Sequence, residues 1–301
     1  MGALKALFLA SAAVVGLASF AHAADLLPPA PQMEPPPMAA PEFSGWYLRG
    51  DVGMAVASGN AGVGISPNPL VGLPADAYNS FYNASLSASA LFDVGVGYQI
   101  NNWLRFDVTG EYRGGSHFQV LEQVGIPSIS TQYGDFYRGD ASSLIGLLNG
   151  YVDLGTWWGA TPFLGAGVGV ANNRLTGVTD QGFACQAGPC SPSGGYLANG
   201  SNTSLAWALM AGLDFDVTQN LKLELGYRFL DYGQLKSGVS NCFNGTGAGG
   251  GFSAANCGGS GYTLATRDLY SQDFRLGLRW AFTDTPTYSP SPEPAPLVRR
   301  Y

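Results

Sequence analysis

Between residues 45 and 282 the chain alternates apolar and polar side chains in short segments, with no sustained 3.6-residue period. That pattern predicts strands and no long helix. Residues 45–56 set Trp46, Leu48, Val52 and Met54 against Tyr47, Arg49 and Asp51, and residues 87–100 set Phe92, Val94, Val96, Tyr98 and Ile100 against Asp93, Gly95, Gly97 and Gln99. After Asn101-Asn102, residues 104–113 carry Leu104, Phe106, Val108 and Tyr112 opposite Arg105, Asp107, Thr109, Glu111 and Arg113. A fourth segment, 142–154, has Leu144, Leu148 and Val152 against Asn149, Tyr151 and Asp153, although Ile145 and Leu147 break its upper half. Four more follow at 162–171, 204–217, 221–229 and 271–282, the last with Phe274, Leu276, Leu278, Trp280 and Phe282 against Asp273, Arg275, Gly277 and Arg279.

The connections alternate in length. Residues 57–86, 114–141, 172–203 and 230–270 are long, whereas 101–102, 155–161 and 218–220 are short. Short turns at one end and long loops at the other are the layout of outer-membrane barrels, whose turns are periplasmic and whose loops are external. The expectation is an all-β chain, an eight-stranded antiparallel up-and-down transmembrane β-barrel over residues 45–282 with both ends on the periplasmic side.

Alternation alone does not say which face is outside, because a soluble barrel puts the apolar face inward. Three features decide for lipid outside. The polar face nearly neutralises itself, with Arg49, Arg105, Arg113, Lys222, Arg228, Arg275 and Arg279 against Asp51, Asp93, Asp107, Glu111, Asp153, Asp214, Asp216, Glu224 and Asp273, as an enclosed network requires. It is also rich in glycine, which suits a narrow lumen with large neighbours. Trp46, Trp157, Trp158, Trp280 and Phe282 gather at the short-turn end, as an interfacial aromatic girdle does.

Composition sharpens this reading. Only 12% of residues are charged, 43 are glycine, and Lys222 and Lys236 are the lysines beyond Lys5, too few to cover a soluble surface. The net charge of −7 offers no basic face for nucleic acid. Residues 1–23 read as a signal peptide, with Lys5, an apolar run from Ala6 to Phe20 and Ala21-His22-Ala23 as the cleavage site. Residues 24–44 and 283–301 are Pro-rich and are expected to be extended periplasmic tails. The four cysteines sit in Gly-rich stretches of an exported chain, and the expected pairs are Cys185 with Cys190 and Cys242 with Cys257.

Several segments carry a resemblance. Ala24-Asp25-Leu26-Leu27-Pro28-Pro29, Pro162 to Gly169 (PFLGAGVG), Leu223 to Phe229 (LELGYRF) and Phe274 to Phe282 (FRLGLRWAF) look like the porin-like outer-membrane proteins of alphaproteobacteria, which are related to the OmpA transmembrane barrel. The resemblance implies that Phe282 is the aromatic read by the barrel assembly machinery, although in most such proteins that residue closes the chain and here nineteen residues follow it.

Candidate chemistry is sparse. His117 lies beside Ser116 and near Glu122, which brings lipid A-modifying barrels to mind, but no nucleophile motif accompanies it. No catalytic, cofactor or metal site is expected. The residues singled out are the lumen charges Arg49, Asp51, Arg105, Asp107, Glu111, Asp214, Lys222, Glu224, Arg228, Asp273, Arg275 and Arg279. The function expected is structural and surface-interacting, through long external loops, with a narrow porin-like channel as the alternative and a lipid-modifying enzyme behind it. Expected partners are outer-membrane lipid and lipopolysaccharide, the assembly machinery and, through the tails, peptidoglycan, with a monomer favoured over an oligomer.

Overall fold

The computed structural model describes residues 44–58, 62–186, 188–243, 251–257 and 259–282; the signal peptide and both Pro-rich tails, apart from Ser44, lie outside these residues. Fourteen strands appear among them: β1 (Gly45–Ser58), β2 (Val63–Ser66), β3 (Tyr78–Leu86), β4 (Ser89–Gln99), β5 (Leu104–Ile126), β6 (Thr131–Asp153), β7 (Ala160–Gln186), β8 (Cys190–Leu197), β9 (Gly200–Asp216), β10 (Leu221–Gly233), β11 (Ser240–Phe243), β12 (Phe252–Ser253), β13 (Thr263–Thr266) and β14 (Leu269–Ala281). Antiparallel pairings run β1–β4–β5–β6–β7–β9–β10–β14 and return from β14 to β1. A ring of this kind leaves no unpaired edge along its shared length, so every backbone donor and acceptor there has a partner without water.

The sequence pattern predicts eight strands, and the additional six, β2, β3, β8, β11, β12 and β13, fall in segments expected to be loops. The ring strands also run further than expected. β5 and β6 have 23 residues each and β7 has 27, against the roughly 9–11 that cross a bilayer. Residues 114–141 are therefore not a loop: they complete β5 and β6 and form a hairpin that stands beyond the ring.

The pattern hid this extension because a bulge reverses the meaning of the alternation. In β5 the apolar residues, Leu121 apart, stay on even positions. Phe106, Val108 and Tyr112 point outward and are exposed, whereas Phe118 and Val120 point inward and are buried. Between these two groups the β5–β6 register shifts, with Arg113 opposite Ser143 and Ser116 opposite Ala141, so β5 carries one extra residue. Gly115 takes up the strain at φ +75°, in the left-handed region. The same device recurs where β6 meets β7: Arg138 faces Thr179 and Asp140 faces Thr176, with Gly177 at φ +61°.

Beyond these bulges the inner face becomes a hydrophobic core. Phe118, Val120, Tyr137, Leu175, Val178, Leu197, Leu230, Leu235 and Leu264 are all buried in one cluster. Burial of side chains this size contributes about 1.5–3 kcal/mol each, enough to hold a folded layer where loops were expected. The β2–β13 pair lies on it through Val63 and Leu264. Ile145 and Leu147, which interrupt the outward pattern of β6, face inward just below the bulge, opposite Glu111 and Thr109, and extend this cluster into the ring.

The bulge can be tested directly. No atom lies within 4 Å of where a Cβ at Gly115 would stand, so Gly115→Ala strains the backbone and nothing else. It should lower stability by about 1–2 kcal/mol, the cost of an L-residue in the left-handed region. Denaturant titration of the refolded protein measures this, and an unchanged midpoint would mean that the bulge does not need glycine.

Candidate functional site: the ion-paired interior

Below the bulges, the outward face is apolar and open while the inward face is charged and closed. Leu144, Val168, Leu209 and Phe274 are 51–62% exposed, whereas Arg105 and Asp273, on inward positions, are 0% exposed. The sign of the alternation is thereby fixed, with an apolar exterior and a polar interior. Aromatic side chains pack together at both ends of the apolar band. Trp46 meets Tyr98 edge-on at 5.3 Å at the short-turn end, and Trp207, Phe229 and Tyr270 pack at 5.7 Å spacings at the other.

The interior charges form two groups. In the upper one, four side chains close a cycle: Arg113 reaches Glu111 and Asp273 at 2.5 Å each, and Arg228 reaches Glu111 at 2.5 Å and Asp273 at 2.8 Å. Arg113 also donates to Ser271 Oγ at 2.7 Å. In the lower group Arg49 pairs with Asp51, Asp107 and Glu224 at 2.7–3.0 Å, and Arg105 with Asp153, Glu224 and Asp214 at 3.2–3.5 Å. Arg275 bridges Asp51 and Asp93 at 2.9 and 2.8 Å, and Arg279 pairs with Asp214.

Strand register explains why the pairs cross the lumen. Asp51 lies directly opposite Asp93, and Asp93 directly opposite Glu111, so β1, β4 and β5 carry an acidic ladder at one level. Arg49 likewise stands opposite Arg279, and Arg279 opposite Lys222. Like charges side by side on a sheet repel. They are neutralised partly along the wall, where Asp51 meets Arg49 on its own strand and Arg275 on β14, and partly across the ring, where Arg228 on β10 reaches Glu111 on β5.

Of the sequence-selected residues, eleven meet inside the ring and Lys222 does not join them: it pairs with Asp216 at 2.6 Å at the short-turn rim, where the Asp216 side chain is 51% exposed. Sequence reasoning did not assign partners to Tyr47 and Tyr151, although both fall on the polar face. Tyr47 donates to Asp107 at 3.1 Å, and Tyr151 accepts from Arg49 at 2.8 Å while its ring underlies Arg105. Each aromatic ring occupies space that a glycine leaves free. A Cβ at Gly97 would collide with the Tyr47 ring, and one at Gly165 with that of Tyr151. Among the described residues, a void of about 20 Å³ beside Arg113 and Tyr232 is room for about one water.

The other selected residues lie elsewhere. Cys185 is bonded to Cys190, joining β7 to β8, and Cys242 to Cys257, tying β11 to the 3-10 turn that follows β12. His117 is exposed and holds Asp140 through Nδ1 at 2.8 Å, while the Ser116 hydroxyl donates to the Ser87 carbonyl at 2.8 Å. Phe282 is exposed, and its amide donates to the Trp46 carbonyl at 2.9 Å.

The family model for the outer membrane protein β-barrel domain matches residues 10–282. The chain belongs to that family. Its place is therefore the bacterial outer membrane, in agreement with the apolar exterior. An uncharacterized protein of Brucella abortus is 34% identical over 223 residues, covering 70% of this chain and 76% of its own. A protein of Rickettsia felis named a putative adhesin is 28% identical over 198 residues, covering 64% of this chain and 74% of its own. Among solved structures, the outer membrane protein OprG from Pseudomonas aeruginosa aligns over 80% of this chain and 97% of its own, with 11% identity and a TM-score of 0.44.

Removing one interior partner should be costly. Arg275→Met leaves Asp51 and Asp93 facing each other with their shared cation gone, and should destabilise the folded protein by about 3–5 kcal/mol. Adding Asp51→Asn and Asp93→Asn should restore most of that loss. Equal denaturation midpoints for wild type and Arg275→Met would contradict the assignment.

Proposed function

We propose that this protein is a closed, eight-stranded transmembrane barrel that conducts poorly or not at all and serves to hold a folded β-sheet outside the cell for surface interactions. The observation that carries this reading is the division of the strands at the bulges. Below them, arginines and carboxylates fill the interior; above them, the strands continue as a sheet with its own hydrophobic core and two disulfides. An eight-stranded barrel is just wide enough for its own side chains, which argues against a diffusion pore.

On this reading the short turns and both chain ends face the periplasm and the tall sheet faces outward. The sheet's outer side carries exposed aromatic residues on neighbouring strands, Phe183 on β7, Tyr196 on β8, Phe243 on β11 and Phe252 on β12. Clustered exposed aromatics of this kind suit protein recognition, where they act as anchors. Relatives named as putative adhesins fit the same role. Lipid and lipopolysaccharide surround the apolar band. Among the described residues, the exposed His117–Asp140 pair lacks a hydroxyl nucleophile held by the imidazole, which favours a structural role over lipid chemistry.

Two measurements test the proposal. In planar bilayers the purified protein should give no discrete conductance steps; stable, reproducible steps would favour the channel reading instead. Replacing residues 114–141 by a short turn should leave a heat-modifiable barrel in detergent gels and lower attachment of expressing cells to a host-cell layer several-fold. Undiminished attachment would remove the surface-interaction role.

A further inference from the structure

The outer sheet contains a second group of buried and half-buried ionisable side chains, separate from the ion-paired interior. Glu122 on β5, Asp135 and Tyr137 on β6, Asp180 on β7 and Tyr262, just before β13, meet on the inner face of the wall. Glu122 and Asp180 are 3% and 6% exposed. Register again sets like charges together, with Glu122 directly opposite Asp135. Here, however, the described surroundings hold no arginine, lysine or histidine acting on these acids; what faces them is one another, Tyr137, Tyr262 and, from β3, the Asn79 amide, which donates to Glu122 Oε1 at 2.6 Å.

A count of hydrogens shows what this arrangement lacks. Glu122 Oε2 is 2.9 Å from Tyr137 Oη, Tyr137 Oη is 3.0 Å from Tyr262 Oη, and Tyr262 Oη is 3.0 Å from Asp180 Oδ2. Three oxygen–oxygen contacts at hydrogen-bond distance need three hydrogens, and the two tyrosines supply two. If both carboxylates are ionised, each tyrosine donates outward and the two phenol oxygens face each other with lone pairs only. One carboxylic proton at either end completes the row. Independently, Asp180 Oδ1 is buried with no hydrogen-bond partner.

We propose that the row Glu122–Tyr137–Tyr262–Asp180 is a proton-binding site, and that its one carboxylic proton latches the segment carrying Tyr262 and β13 onto the β5–β7 wall. The latched segment lies over the outer core, since Leu264 in β13 is fully buried there and β13 pairs with β2. The device depends on the fold alone and stands whether or not the sheet binds a surface.

The direction of the pH response follows from where the charge sits. Burial raises Glu122 and pushes Asp180 up to about 6; burial, with Asp180 and Glu122 beside it, pushes Asp135 up to about 8. The folded state therefore binds protons more tightly than the loosened one. The contribution to stability is full below the ordinary carboxylate range and is lost as pH rises through about 6 and on toward about 8.

Hydrogen exchange of the amides of residues 262–266, measured on the whole folded protein in detergent from about pH 5 to about pH 9 and corrected for intrinsic rates, tests the latch. Protection should fall as pH rises from the ordinary carboxylate range toward the raised folded-state values, by up to about tenfold per pH unit for one linked proton, and level off above them. Amides of the β1–β14 ladder should not follow it. Asp180→Asn or Glu122→Gln supplies the missing hydrogen permanently, so either should hold protection high through about pH 6 and leave only the response of Asp135 toward about 8. Tyr262→Phe should give low, pH-independent protection. Heat-modifiable migration confirms that each variant is folded. Flat protection in the wild-type protein, or an undiminished pH response in both amide variants, would overturn the proposal.

Discussion

Neutralisation across the lumen is the constraint on which the rest of this structure depends. Asp51, Asp93 and Glu111 stand side by side on three adjacent strands, and Arg49 stands beside Arg279. Asp51 and Glu111 each have an arginine on their own strand, but Glu111 gains Arg228 and Glu224 gains Arg105 only because the ring sets β10 across from β5. Buried ion pairs contribute little net stability compared with apolar side chains of similar size. Their effect here is on register. Slipping one strand by a single residue would move its arginines to the lipid face, at about 2–4 kcal/mol for each near the bilayer midplane, while exposing its leucines to the charged interior.

The same two-residue repeat serves opposite purposes at the two ends of the long strands. In β5, Phe106 and Val108 face the lipid and Phe118 and Val120 face a protein core, and one inserted residue at the Gly114-Gly115 bulge makes the difference. A sheet that leaves the membrane must exchange its solvent on one face for water and find a new apolar environment on the other. A bulge does this in one step without breaking the strand. The β6–β7 pair repeats the solution at Gly177, so the wall turns its apolar face inward on neighbouring strands and can build a shared core there.

The lower half of the architecture was legible in the amino-acid sequence because there the alternation, the self-neutralising polar face and the aromatic girdle all agree. What could not be read was the outer sheet. Phe118, Val120 and Val124 continue the same even-numbered pattern, but no sequence signal distinguishes a glycine that ends a strand from one that bulges it. The pairing of Arg228 with Glu111, on strands distant in sequence, was also hidden; the pattern assigns a residue to a face and not to a partner. Ile145 and Leu147 were the available warning, since apolar residues on an inward face mark where a charged lumen gives way to a core.

Whether the apolar face meets lipid and the charged face is enclosed is measured most directly by spin-label accessibility along β6. Nitroxides placed one at a time on residues 146–152 of the protein in bilayers should show oxygen accessibility with a period of two. Maxima at Leu148 and Val152 and minima at Asn149 and Tyr151 are predicted, in phase with their exposure in the structure. The opposite phase, or high accessibility to a water-soluble relaxant at Asn149 and Tyr151, would contradict the account.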